Sequence, residues 1–267
     1  MPQSINILIS TIGERIDQVP AVLMSPQERL SYVISFQTDG TNAIPSEITD
    51  RADVTITTLN GCGLCANRNN ALAHASADIC LIADDDCRYE PQYIQCIADA
   101  YRQHPEADII CFAAETYDHQ PIHQHYPEGT MNYREAVARG YFLTSFELTF
   151  RRASIAGRLQ FNTNFGLGSA KLCAGEEQVF MADAERMGLT ALFINQVIVR
   201  SDPNTTGTRF LSNPKLQVTK GATFRHCYGY ANAIWRSIKE AGWWSVYRRA
   251  NPFPIFLRMM RGIFLKF

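Results

Sequence analysis

The stretch Ile79-Cys-Leu-Ile-Ala-Asp84-Asp85-Asp86 constrains this chain more than any other. Its apolar run reads as a buried strand that ends in three consecutive carboxylates. Strand geometry turns residues i and i+2 to the same side, so Asp84 and Asp86 address one point beyond the strand's carboxyl end. Open α/β sheets bind ligands at that edge. Three adjacent acids repel one another and need a counter-charge, which a hard divalent cation bridging carboxylate and phosphate oxygens supplies. The alternative is a solvated acidic turn opening the next helix, where Asp favours the macrodipole.

The rest of the chain supplies the sheet around that strand. Short apolar runs at Ile5–Ser10, Tyr32–Gln37, Val54–Leu59, Ile79–Ala83, Asp108–Ala114, Thr144–Phe150 and Leu192–Val199 predict strands. Helical patterns fall between them at Leu64–Ala75, Pro91–Gln103 and Glu176–Met187, the last closed by Gly188. In the second, Ile94, Ile97, Ala98 and Tyr101 repeat at i, i+3, i+4 and i+7 behind Pro91 at the first helical position. This alternation predicts an α/β fold, Rossmann-like, with a mostly parallel central sheet and helices on both faces. Residues 116–132 read as an excursion over the surface.

Other motifs have weaker claims. Gly63-Leu-Cys-Ala-Asn67-Arg68-Asn69 opens the helix before the acidic strand, and Arg68 stands near free N–H groups where anions are welcome. It could clamp a diphosphate or be a surface Arg on a capped helix. Cys62-x-x-Cys65 lacks the second ligand pair that zinc needs and the strand context that thioredoxin chemistry needs, so it reads as packing. Gly175-Glu176-Glu177 heads a helix, where glutamates are ordinary; one of them could also be a general base acting on an acceptor hydroxyl. His119, His123 and His125 complete no recognised metal site and read as surface-loop histidines.

Taken together, these residues resemble the family 2 glycosyltransferases, inverting enzymes with the GT-A fold, over roughly residues 4–210. Ile7-Leu-Ile-Ser-Thr11-Ile-Gly13-Glu-Arg15 is similar to the family's first strand and nucleotide-facing loop. Tyr32-Val-Ile-Ser-Phe-Gln37-Thr-Asp39 takes the place that contacts the base, with Gln37 where many members carry an acidic pair. Gly63-Leu with Arg68-Asn69 resembles the segment before the metal motif, and Asp84-Asp85-Asp86 resembles the DxD motif itself. Gly175-Glu176-Glu177 resembles the family's Gly-Glu-Asp, with Glu177 in place of the aspartate base. The family often has a His near Ser201-Asp202, before a stretch like Thr205-Thr206-Gly207; this chain has none there.

The resemblance implies an enzyme that moves a sugar from a nucleotide-sugar, a UDP-sugar, to a hydroxyl of a glycan or lipid-linked acceptor by single displacement. Mg²⁺ or Mn²⁺ would be held by Asp84 and Asp86. Glu177 would be the general base, with Glu176 beside it. Thr11, Gly13, Arg15, Gln37, Asp39, Arg68, Asn69 and Asp85 would bind the donor. Rival readings are a sugar nucleotidyltransferase, whose Gly-rich basic N-terminal signature Ser10-Thr-Ile-Gly-Glu-Arg15 matches poorly, and a non-catalytic binding protein on the same fold.

Charge is where composition matters. The chain's net charge of −1 points to no nucleic-acid partner. Residues 224–267, however, hold eight Lys/Arg and one acid, Glu240, which leaves about −8 for residues 1–223. The same tail holds all three tryptophans, Trp235, Trp243 and Trp244. We therefore expect a GT-A domain at 1–223 and a basic, aromatic-rich helical extension at 224–267. Residues 248–267 suit either an anionic membrane surface or packing on the domain or a second subunit. With no signal peptide, no apolar run long enough to span a bilayer and thiols inside strands, the expected place is the cytoplasm, peripheral to the cytoplasmic face of the inner membrane.

Overall fold

The computed structural model describes residues 3–202 and 209–266. Thr205, Thr206 and Gly207, named in the sequence analysis, and Phe267 at the end of the 248–267 segment lie outside them. The first half runs β1 (Ile5–Ile12), a 3-10 stretch (Gly13–Ala21), β2 (Leu30–Gln37), α1 (Ser46–Thr49), β3 (Val54–Leu59), α2 (Leu64–Ala73), β4 (Ile79–Asp84) and α3 (Pro91–Gln103). Then come β5 (Ile109–Glu115), β6 (Thr130–Asn132), α4 (Tyr133–Ala138), β7 (Leu148–Arg151), α5 (Arg152–Ile155), α6 (Glu176–Arg186), β8 (Ala191–Arg200), α7 (Pro214–Arg248) and α8 (Pro252–Ile263).

The eight strands form one sheet in the order β3-β2-β1-β4-β7-β5-β8-β6. β1 pairs in parallel with β2 and β4, β2 with β3, and β5 with β8. Strands in this setting are covered on both faces and so read as continuous apolar runs. Ile7, Leu8, Ile9, Ile79, Leu81 and Ile82 are fully buried. Register then places the site: Ser10 lies opposite Asp84 and Ile12 opposite Gln37. Thr11, Gln37 and Asp84 thus finish three neighbouring strands at the same edge.

One predicted strand is corrected. Thr144–Phe150 splits into a 3-10 turn at Ser145–Glu147 and a short β7. A capping box does this: the Glu147 carboxylate takes the Thr144 N–H at 2.8 Å, which winds the first residues. β7 then enters the sheet antiparallel to both β4 and β5.

Two compact units are distinguished, one of Met1–Cys62, Ala66–Gln160 and Glu185–Pro203, the other of Gly63–Cys65, Phe161–Ala184 and Asn204–Phe267. The first contains the sheet. In the second, α6 buries Val179, Phe180 and Met181, with Phe161 stacked on Phe180 at 4.4 Å. The boundary expected between residues 223 and 224 falls inside α7. That helix is broken instead at Gly229, whose φ of 74° leaves the helical range.

α8 packs along the first part of α7 at near backbone contact. A Cβ on Gly262 would sit 1.8 Å from the Val218 carbonyl oxygen, and one on Gly221 would sit 1.9 Å from that of Met259. Only two glycines permit this crossing. Ile255, Met259 and Ile263 are buried by it. Packing within its own unit is therefore what occupies one face of the basic tail.

Candidate active site

β4 ends at Asp84, and Asp85 and Asp86 follow in a turn closed by the Cys87 N–H on the Asp84 carbonyl at 3.3 Å. The turn sends the three carboxylates into different surroundings. Asp85 is 3% exposed. It accepts from the Thr11 hydroxyl at 2.8 Å and from both Nε and Nη2 of Arg15, in a bidentate pair. Hydrogen bonding to Asp85, the largest cause, raises the Arg15 pKa against the opposing cost of burial.

Asp84 accepts from Arg68 Nη2 at 3.2 Å and from the Ser145 hydroxyl at 3.2 Å. Arg68, read from sequence as a diphosphate clamp or a surface Arg, is 1% exposed and pairs with Asp84 as its counter-charge. Its neighbour Asn67 donates from Nδ2 to the Thr11 carbonyl at 2.9 Å, tying α2 to the end of β1.

Asp86 has the least compensation. Arg15 Nη2 lies 3.5 Å from one of its oxygens and the Ser201 hydroxyl 3.4 Å from the other. Burial first, then the charges of Asp84 and Asp85, push its pKa up, and Arg15 only partly offsets them. The Asp84 and Asp86 side chains each remain about a third exposed, at 30% and 33%. Among the described residues, no group of three or more His, Cys, Asp and Glu side chains is arranged to hold a metal ion.

The remaining residues expected at this edge are placed as follows. Gly13 starts the 3-10 stretch after β1 at φ 55°. Gln37 is buried at the end of β2. Asp39 is exposed and accepts from the Thr41 N–H and hydroxyl at 3.0 and 2.6 Å, which lowers its pKa. Asn69 lies half-buried on α2.

Two contributors were not foreseen. Ser145 arrives in the 3-10 turn before β7, and Tyr117 arrives in the loop after β5, where its hydroxyl donates to the Asp86 carbonyl at 2.6 Å. Neither has a local signal, because the sheet order brings them here. The histidine expectation holds for His119 and His125, which are exposed, and is corrected for His123. His123 is only 15% exposed and lies 3.4 Å from fully buried Glu147, among Tyr126, Tyr141 and Phe142. The loop folds inward because the Tyr126 hydroxyl reaches Glu147 and the Ala114 carbonyl. His119 stays exposed and meets Glu115 at 2.7 Å.

In the second unit, Glu176 and Glu177 open α6 and differ in access. Glu176 is 6% exposed and lies against the Gly166 turn, where a Cβ would come within 3.4 Å of its carboxylate carbon. Glu177, one position on, is half-buried. Carboxylates in a first helical turn are favoured by its N–H groups.

Residues 12–170 match the model of Glycosyl transferase family 2. No curated protein sequence matches the chain. Among solved structures, S. aureus TarS 1-349 aligns with a TM-score of 0.61 at 11% identity, covering 96% of this chain and 90% of that one. The same protein in complex with UDP-GlcNAc aligns at 0.62 and 11%, with the same coverage. In complex with UDP it aligns at 0.62 and 14%, covering 94% and 74%. At these identities the likeness shows the fold, which is the GT-A arrangement.

Proposed function

The chain belongs to glycosyl transferase family 2, and we propose that it moves a sugar from a UDP-sugar to a hydroxyl of a glycan or lipid-linked acceptor, with inversion. The observation that carries this reading is the edge where β1, β2 and β4 end together and the aspartates gather. The TarS complexes with UDP and UDP-GlcNAc support the choice of donor.

A divalent cation, Mg²⁺ or Mn²⁺, fits what Asp84 and Asp86 offer: two hard carboxylates, each about a third exposed. Such ions take one or two protein carboxylates and complete their shell with water and substrate phosphate. When bound, the cation would act as a Lewis acid on the departing diphosphate. Asp85 does another job, fixing Arg15 and Thr11 at the nucleotide edge. Gly13, Gln37, Asp39 and Asn69 belong to the same donor-facing group.

Glu177 is the general base of this proposal, and the burial of Glu176 supports choosing between them. The acceptor hydroxyl gives its proton to the Glu177 carboxylate while its oxygen bonds to the anomeric carbon. The bond from that carbon to the diphosphate oxygen breaks, and the electron pair leaves with the nucleoside diphosphate. One displacement inverts the centre. A lipid-linked acceptor puts the enzyme at the cytoplasmic face of a membrane, as a peripheral protein.

Release of nucleoside diphosphate from a panel of nucleotide-sugars, with and without Mn²⁺, tests the reading. Metal-dependent turnover of a UDP-sugar is expected. Pyrophosphate release from a nucleoside triphosphate and a sugar phosphate would establish the nucleotidyltransferase instead. Tight binding of nucleotide-sugar with no turnover under any condition would establish a binding protein.

A further inference from the structure

α7 beyond Gly229 and α8 each carry two apolar faces. The inner ones are accounted for by Ala233 and Ala241 on α7, with the Ser237 hydroxyl between them turned onto the Ala233 carbonyl, and by Ile255, Met259 and Ile263 on α8, all buried. The outer ones face away from the unit. On α7, Trp235, Ile238 and Val246 recur at i, i+3 and i+11, and Val246 is 76% exposed. On α8 and its C-cap, Phe253, Leu257 and Phe264 recur at i, i+4 and i+11, and Phe253 is 66% exposed. A helix on the surface of a globular protein ordinarily turns charged and polar residues outward. Here the outward stripes are apolar, and the exposed rings of Tyr230 and Phe264 stack at 5.9 Å, joining one helix to the other.

Cations are set among these rings. Arg236, Lys239, Arg248, Arg249, Arg261 and Lys266 are exposed. The Arg236 guanidinium lies 3.7 Å from the centre of the Tyr228 ring, and the Lys239 ammonium 5.2 Å from that of Trp235. Long basic side chains lying along aromatic surface with their charge in water are the arrangement of a protein face at a lipid headgroup layer. The segment's single acid, Glu240, is turned to the Trp244 indole N–H at 3.0 Å. No helix among the described residues is long and apolar enough to cross a membrane.

We infer that the outer stripes of α7 and α8 form one docking surface for an anionic lipid bilayer. The inference rests on the peripheral-membrane part of the proposed function and not on its chemistry. It also differs from insertion of residues 248–267 alone, since Ile255, Met259 and Ile263 of α8 are buried within the unit. Charge decides the occupant. A second copy placed on this face by a two-fold axis would bring like charges together with one acid on each side. An anionic leaflet complements the same cations at about a fivefold gain in affinity per basic residue. The exposed tryptophans suit the interfacial layer, where aromatic rings collect.

The test is co-sedimentation of the full chain with phosphatidylcholine vesicles, with and without phosphatidylglycerol, over a salt series. Binding only to the anionic vesicles, weakening with salt, is expected. The pair Trp235→Ala and Val246→Ala on α7, and separately Leu257→Ser on α8, should each weaken binding at least tenfold. Melting temperature and turnover of a soluble acceptor should stay as in the wild type. Unchanged sedimentation of both variants would overturn the proposal. So would an α7 pair that binds normally, or a wild-type dimer that ignores vesicles and falls to monomers in these variants. Vesicle binding without turnover of any nucleotide-sugar would sink the enzymatic reading and leave this one standing.

Discussion

The two acidic clusters of this chain look alike in sequence and are built differently. Asp84–Asp86 stand on a strand end, where nothing intrinsic to the backbone favours negative charge, and the protein supplies the compensation. Arg15 answers Asp85, Arg68 answers Asp84, and hydroxyls of Thr11 and Ser145 complete the shells. Glu176 and Glu177 stand at a helix start, whose own N–H groups favour carboxylates. In both clusters burial separates the members. Asp85 and Glu176 are enclosed, while Asp84, Asp86 and Glu177 keep access to solvent. Adjacent acids in a motif are thus not equivalent donors, and access sorts them where spacing cannot.

The sharpest way to break this comparison is Asp86→Asn. It should abolish transfer and metal-dependent nucleotide binding while far-UV circular dichroism stays unchanged. Wild-type turnover of this variant at saturating Mn²⁺ would remove Asp86 from the metal site. Glu177→Gln should cost a factor on the order of 10²–10⁴ in turnover with donor affinity retained, as for a lost base. A parallel fall in donor affinity, read by calorimetric titration, would assign Glu177 to binding instead. Glu176→Gln should disturb stability more than rate.

Arg68 distinguishes the two ways of compensating charge. Arg68→Met leaves Asp84 without its cation in a partly buried place and should lower unfolding stability by about 2–4 kcal/mol in a urea titration. If Arg68 were a diphosphate clamp, the variant would keep its stability and lose UDP affinity. The smallest effect concerns Asp86 in metal-free protein. Its raised pKa means that the folded state holds a proton more tightly than the unfolded one. Stability therefore falls as pH rises through the window above the ordinary carboxylate value of 3.8 and stays lower beyond it. In chelator, Asp86→Asn should be the more stable protein at neutral pH, by less than about 1 kcal/mol once solvent screening of a side chain one third exposed is counted. The gap should close below that window; a variant no more stable at pH 7 would contradict the cause assigned to the shift.

Much of this was legible because period and position are local. β3 and α3 fall where alternation and the i, i+3, i+4, i+7 pattern put them, and the triple Asp marks the end of β4. The turn at Thr144–Glu147 was legible too, as a Thr-x-x-Glu capping box, but the apolar residues around it read as a strand. Tyr117 and Ser145 were out of reach, since only the sheet order brings residues 31 and 61 positions away to Asp86 and Asp84. The burial of Arg68 was hidden for the same reason. A charged residue near a helix start reads as surface until its partner strand is known.

The antiparallel placement of β7 has a consequence for how the chain assembles. Residues 30–84 hold three consecutive parallel strands whose partners are near in sequence: β2 and β4 pair with β1, and β3 with β2. β4 and β5, by contrast, share no hydrogen bonds and are joined only by three pairs on each side of β7. Until residues 148–151 arrive, both flanking strands present open edges, which are templates for pairing with another chain. Closing that gap spans some seventy residues on the β4 side, a loop whose entropy is lost before the contacts reward it. Thr149 is the stitch: fully buried, it donates to the Ile110 carbonyl at 2.8 Å and meets the Tyr101 hydroxyl at 3.0 Å. Sheet continuity thus hangs on four residues, and a chain interrupted before them carries the β3-β2-β1-β4 sheet with an open β4 edge beside an unpaired β5, because β8 also follows β7 in sequence.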